Sequence, residues 1–292
     1  MTRGVVSTRE VRTVARARRD RLGEGPLWSD RMNAVYWVDI LGQRLNRLSL
    51  ATDAVDEWPI PEMIGWVIER ARAPGFVAGL RSGFATLTLD PFTITPIAAP
   101  ERDRPVNRMN DAKADSAGRI WAGTMPVDAD RNTGALYRLD PDRAITRVDD
   151  GYRIANGPAI SADGAWLFHT DSGARTIYRF PVRDDGELGP REPFLEVDPK
   201  LGTPDGMTFD AEGGLWVAMW GGGQLVRFAP EGGIDRAIAL PASHVTSCTF
   251  AGATLDRMFV TSAYEGAAEA EAGALFEVDP GCCGLPTQRF AG

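Results

Sequence analysis

The chain reads as an all-β protein, a six-bladed β-propeller. Three observations predict this. One pattern recurs: a short apolar run, a turn of the type Asp-x-x-Gly, then an aromatic-rich run. The aromatics of the second run, Trp37, Phe76, Trp121, Phe168, Trp216 and Phe259, are spaced by roughly 40 to 48 residues, the period of a four-stranded blade. The runs that hold them are rich in residues that suit strands, and no long helical periodicity competes.

The elements follow in order. The opening segment contains "VRTVARA", expected as a strand that completes the last blade and closes the ring. "GPLWSDRMNAVYWVDI", "AKADSAGRIWAGTM", "PAISADGAWLFHTDS" and "MTFDAEGGLWVAMW" are the strong copies of the repeat. "GWVIERARAPGFVAGL" and "CTFAGATLDRMFVTSA" are the weaker ones. Third strands are expected at "RLNRLSL", "ALYRLD", "TIYRF", "QLVRFAP" and "ALFEVD". Asp30, Asp115, Asp163 and Asp210 sit where a tight turn needs a short side chain that bonds nearby backbone. Gly118, Gly164 and Gly213 can supply the positive φ of a hairpin. Residues 182–193 read as a polar turn region and 263–275 as a small acidic loop. No linker interrupts the series, so residues 1–292 are expected to form a single domain.

Composition narrows the partners. A hydrophobic fraction of 43% can fill a sizeable core. The formal charge of −8 disfavours nucleic acid and anionic membrane surfaces. No apolar run is long enough for a membrane span, and the N-terminus lacks the apolar stretch of a secretory signal. Three cysteines, Cys248, Cys282 and Cys283, give no disulfide framework, which fits a cytoplasmic protein. Charge does not choose among small-molecule ligands.

In a propeller the first strand of each blade lines the central channel. Glu24, Asn110, Asn156 and Asp205 lie at matching points, just ahead of where those strands should begin. They therefore face one axis from four of six blades, while the places in the other two hold "MIG" and "VTS". Carboxylates brought together without a partner resist ionisation. A divalent cation removes that problem, and oxygen donors suit Ca²⁺, Mg²⁺ or Mn²⁺, with Zn²⁺ less typical. An acid or amide followed by glycine is also the chemistry of a tight turn; four coincident positions favour the site.

At these residues the chain resembles the gluconolactonase and regucalcin (senescence marker protein) family of six-bladed lactonases, which includes luciferin-regenerating-enzyme-like members. The motifs are "LGEGPLW…VYWVDI", "NRMNDAKADSAGRIWAGTM", "ANGPAISADGAWLFHTDS", "TPDGMTFDAEGGLWVAMWGGGQLVRFAP" and "VTSCTFAG…MFVTSA", covering nearly the whole chain. The resemblance implies one divalent cation, Ca²⁺ first, with Zn²⁺, Mn²⁺ or Mg²⁺ as alternatives, held by Glu24, Asn156 and Asp205. It implies substrate contacts from Arg108 and Asn110, with Asp111 close by, and opening of a sugar lactone such as gluconolactone or a pentonolactone to its aldonic acid. Two departures bear on the sugar. Ala112 stands where the family often has glycine, and "GTMPVDAD" offers Asp128 where a member can present glutamate.

The mechanism expected from this set uses Asp205 as general base toward water, with Asn110 supporting the oxyanion. Arg108 and Asp128 hold sugar hydroxyls. No Gly-x-Ser-x-Gly is present, and His169 and His244 are expected away from the mouth. Cys248 and His169 read as packing residues, Trp66, Met125 and Trp220 as pocket walls or core, and Lys113 as a solvated surface group. The competing readings are a related propeller esterase or organophosphate hydrolase and a non-catalytic sugar-binding propeller. A monomer or weak homo-oligomer is expected.

Overall fold

The computed structural model describes residues 5–7 and 10–292. Six sheets are arranged as blades; four have their strands in chain order from the axis outward, and the other two add an N-terminal strand at the outer edge. The inner strands are Gly23–Ser29, Ile64–Glu69, Asn107–Ala114, Ala155–Ile160, Thr203–Phe209 and Val245–Ala251. The second strands are Ala34–Asp39, Phe76–Leu80, Ile120–Pro126, Trp166–Asp171, Leu215–Trp220 and Arg257–Ser262. Both weak copies of the repeat are therefore true blades, the second and the sixth.

The core is divided into six apolar clusters, one between each pair of neighbouring blades. A blade is thus covered on both faces, which is why its second strand reads as a continuous apolar run rather than an alternation. Trp37, Trp121, Trp216 and Phe259 are wholly buried there, each contributing on the order of 2–3 kcal/mol by burial. The cluster joining blade one to blade six, Trp28, Val35, Trp37 and Leu48 with Ala251, Phe259 and Leu275, closes the ring.

The expected N-terminal strand is Val11–Thr13. It pairs antiparallel with Phe276–Val278 as the fourth strand of blade six. Val5–Ser7 adds a fifth strand to blade five, running parallel to Ile234–Ala239, which sequence patterning did not indicate. The C-terminal segment crosses the face of the ring that carries the Asp-x-x-Gly turns. Ala211 N–H donates to Cys283 O at 2.8 Å, Ala71 N–H to Phe290 O at 2.7 Å and Ala291 N–H to Gly118 O at 3.0 Å. Phe290 is buried between blades two and three.

The turn residues behave largely as expected. Gly118, Gly164 and Gly213 have φ of 78°, 71° and 84°. Asp115, Asp163 and Asp210 accept from the backbone N–H of Ala117, Ala165 and Glu212, all at 3.0 Å. Asp30 differs, because its carboxylate faces Arg289 of the C-terminal segment. Among the described residues no helix is long and apolar enough to cross a membrane.

Candidate active site

The predicted mouth residues lie inside the inner strands, not ahead of them. Each inner strand slips its register against the second strand near its start. In blades one, three, four and five two residues there oppose one, a β-bulge, which re-aims side chains toward the axis. The bulged pairs are Gly25–Pro26, Asn110–Asp111, Gly157–Pro158 and Asp205–Gly206. Two of the glycines have packing reasons. A Cβ on Gly206 would lie 2.2 Å from Ser247 Oγ of blade six, and one on Gly157 would lie 2.9 Å from Met207 N of blade five. The acid-glycine or amide-glycine pairs are thus not hairpin turns. They mark close approaches between adjacent inner strands.

Two aspartates that sequence reasoning missed set the entry to these bulges. Asp39, ending the second strand of blade one, accepts from Arg21 N–H and Leu22 N–H at 3.2 and 3.1 Å. Asp171, in the same place on blade four, accepts from Arg153 N–H and Ile154 N–H at 3.3 and 3.1 Å. Each fixes the backbone two and three residues ahead of a site residue, Glu24 or Asn156. The signal in the sequence is an aspartate closing "YWVD" and "FHTD".

Glu24, Arg108, Asn110, Asp111, Asn156 and Asp205 are all buried, and Arg108, Asn110 and Asn156 form a hydrogen-bonded chain. Arg108 Nη1 donates to Asn110 Oδ1 at 2.5 Å and to Met109 O at 3.1 Å. Asn110 Nδ2 donates to Asn156 Oδ1 at 2.5 Å and to Ala155 O at 2.8 Å. Asn156 Nδ2 donates to Ser172 Oγ at 2.9 Å, which fixes the amide so that its oxygen faces the cluster. Ser172 is a further residue the sequence did not single out. Asp111 ties blade three to blade four by accepting from Gly157 N–H at 3.0 Å, and accepts from Ala112 N–H at 2.8 Å. Both Asn110 amide hydrogens are engaged, so as arranged it orients Asn156 and Arg108 and has no N–H left for an oxyanion.

The electrostatics are strained. Burial raises the Glu24 carboxyl well above its usual range, and Asp205 and then Asp111 push it further. Burial followed by Asp111 does the same to Asp205. Burial also raises Asp111, with Lys113 acting against it. Burial lowers the Arg108 guanidinium to about 10 despite Glu24 and Asp205. Three buried carboxyl groups therefore act on one another, with Arg108 and Lys113 as the nearby cations.

The residues fit a hard cation. Asp205 Oδ1 is buried without any hydrogen-bond partner. Glu24, Asp205 and the oriented Asn156 oxygen supply only oxygen donors, the set that Ca²⁺ or Mg²⁺ prefers. The fit is through two carboxylates and an amide. Among the described residues no group of three or more His, Cys, Asp and Glu is placed to hold a metal ion.

The remaining sequence readings divide. Asp128 is exposed in the turn after the second strand of blade three, outside the buried cluster. Lys113 is not a surface group. It is half-buried and lines the channel below the cluster, a lumen of about 170 Å³ shared with Ser247, Thr249 and residues 285–288. Cys248 is core, its thiol pushed up to about 12 by burial. Trp66 and Met125 are buried, and Trp66 lines the upper part of that lumen. His169 is wholly buried and edge-on to Tyr152. His244 departs from expectation. It directly precedes the inner strand of blade six, at the mouth end, stacked on Trp220 with centroids 4.1 Å apart.

Residues 22–264 match the family model described as the SMP-30/Gluconolactonase/LRE-like region. The chain is 35% identical over 288 residues to regucalcin of Gallus gallus, covering 94% of this chain and 96% of that one. It is 34% identical over 278 residues to 6-deoxy-6-sulfogluconolactonase of Pseudomonas putida, covering 93% and 95%. Among solved structures it superposes on a calcium-binding protein, regucalcin, from Agrobacterium tumefaciens, with a TM-score of 0.92 at 25% identity over 97% of this chain and 98% of the other.

Proposed function

The chain belongs to the SMP-30/gluconolactonase/LRE-like family, and from that premise we propose that it hydrolyses a sugar lactone, such as gluconolactone or a pentonolactone, to the aldonic acid. The observation that supports the reading is that Glu24, Asn156 and Asp205 are buried on the inner strands of three blades, that Asp205 pushes the Glu24 carboxyl up, and that an Asp205 oxygen is left without a partner. A scaffold has no use for buried carboxyl groups that repel one another. The name of the sulfogluconolactonase relative supports a lactone as substrate, and the calcium-binding regucalcin among the solved structures supports Ca²⁺ as the first candidate ion.

Glu24, Asn156 and Asp205 would hold the divalent cation. When bound, it would supply Lewis acidity toward the lactone carbonyl and make water more acidic. Asp205 takes the proton of the attacking water as general base. Water oxygen bonds to the carbonyl carbon, the bond to the ring oxygen breaks, and the proton held by Asp205 passes to that leaving oxygen. Arg108 Nε, buried and unpartnered, is the donor available to a substrate oxygen. Asn110 keeps Arg108 and Asn156 in place, and Asp128 at the rim is assigned to a sugar hydroxyl. The three cysteines are free, in keeping with a cytoplasmic enzyme.

The test joins one variant with ion removal. Asp205→Asn should keep the wild-type circular dichroism and lose about 10²–10⁴-fold in turnover of a neutral aldonolactone. Wild-type protein stripped by a chelator should lose activity, regain it with a divalent ion, and bind that ion by calorimetry with a stoichiometry of about one. Full turnover by the stripped protein would end the cation reading. Near-full turnover by the variant would end the assignment of Asp205.

A further inference from the structure

A cavity of about 720 Å³ opens on the mouth face between blades two and three. It is within the size range of small-molecule sites, about 300–1,000 Å³. Its walls are the turn after Leu80, the connection at 99–106 and the start of the inner strand of blade three. Arg108 forms part of its wall, bonds to Asn110, and lies within the electrostatic reach of Glu24 and Asp205.

The charge of this cavity is opposite to that of the protein. Arg81, Arg102, Arg104 and Arg108 line it against Glu62 and Glu101, in a chain of formal charge −8. Both acids are already satisfied. Glu62 accepts from Ser82 N–H and Oγ, each at 2.7 Å. Glu101 accepts from Asn107 Nδ2 at 2.9 Å and from Thr124 Oγ1 and Tyr137 OH at 3.0 Å. Their role is to hold the walls. The arginines are less engaged. Arg81 donates to Pro105 O at 3.3 Å, while Arg104 donates to Thr133 O at 3.0 Å and also pairs with Glu101 at 3.9 Å. Arg102 is exposed, with no hydrogen-bond or ion-pair partner among the described residues. Arg108 Nε is buried and unpartnered.

A neutral sugar lactone gives no reason for such a set beside a cluster of carboxyl groups. From the cavity, we infer that the substrate carries an anionic substituent on its exocyclic carbon, a carboxylate or a phosphate or sulfonate, seated among these arginines while the ring faces Asp205. This rests on the lactonase reading and sharpens its substrate class. Arginine suits such groups because its fork matches their oxygens in pairs.

The experiment compares a neutral aldonolactone with ring-matched lactones bearing a carboxylate, a phosphate monoester or a C-linked sulfonate, in wild type and in Arg81→Gln/Arg102→Gln. At low salt the anionic lactones should exceed the neutral one at least ten-fold in kcat/KM, and the advantage should shrink as ionic strength rises. The double variant should lose that advantage and keep neutral-lactone turnover unchanged. Which anionic arm gains more identifies the group. If the neutral lactone is hydrolysed and no anionic one is preferred, the inference fails and the lactonase reading stands. Equal losses on neutral and anionic substrates, or a change confined to inhibition by the aldonate product, would overturn it as well. If no lactone is hydrolysed, the underlying reading fails and takes the inference with it.

Discussion

His169 shows how burial alone sets the chemistry of a side chain. It is wholly enclosed between blades three and four, and neither ring nitrogen has a partner. Burial, with some help from Arg191, pulls its pKa down to about 3 from the 6.5 of an exposed histidine. The unfolded chain therefore binds one more proton than the native one between those values. Stability from this group is complete above the unfolded pKa and is lost as pH falls toward the folded one. The loss should reach about 3 kcal/mol near pH 4. Asp20, raised by burial to about 6, works in the opposite sense, since its native form favours the proton. His169→Leu should show a smaller fall in urea-derived stability between neutral and acid pH than wild type, by roughly this amount. An equal fall in both proteins would mean that the imidazole charges without unfolding.

At the scale of the blade, the repeat carries a latch that the turn chemistry conceals. Asp210 begins the hairpin of blade five, as its sequence position suggests, yet its carboxylate also accepts from Trp216 Nε1 at 2.9 Å and from Arg227 Nε at 2.7 Å. Asp115 does the same in blade three with Trp121 at 2.9 Å and Arg119 at 2.7 Å. In blade one Trp37 turns to Asp20 instead, at 2.8 Å. The blade tryptophan can therefore be wholly buried with its N–H satisfied. Asp210→Ala leaves that N–H and a buried guanidinium short of a partner. It should cost about 3 kcal/mol, measured by denaturant unfolding. Asp210→Asn should cost less, because an amide oxygen can still accept from the indole. A neutral effect of the alanine variant would show that the latch only decorates the turn.

At the scale of the whole ring, closure depends on joining the two ends of the chain. Val11–Thr13 supplies the outer strand of blade six. Val14 lies in the core between blades six and one, and its burial alone contributes about 2 kcal/mol. Arg16 holds the buried Asp20 near the start of blade one. A protein beginning at residue 17 should unfold at a clearly lower temperature, and its bared strand edge should promote association during size-exclusion chromatography. A melting temperature within about 2 °C of wild type would show that the other five blade interfaces carry the ring unaided.

The sequence by itself determined the number of blades, three of the four turn aspartates and the matching places of Glu24, Asn110, Asn156 and Asp205 in four blades. These are local or periodic properties: a strand is written in its own residues, and a repeat brings matching positions to one axis whatever else packs around them. Only the tertiary structure decided that the mouth residues sit on bulges, that Asn110 is fully engaged, that Lys113 lines the lumen, and that Asp39, Asp171 and Ser172 fix the site. Each of those depends on side chains of different strands or blades meeting at hydrogen-bond distance. The spacing of a repeat records which positions are equivalent, but it does not record the partner a buried polar group finds once water is excluded.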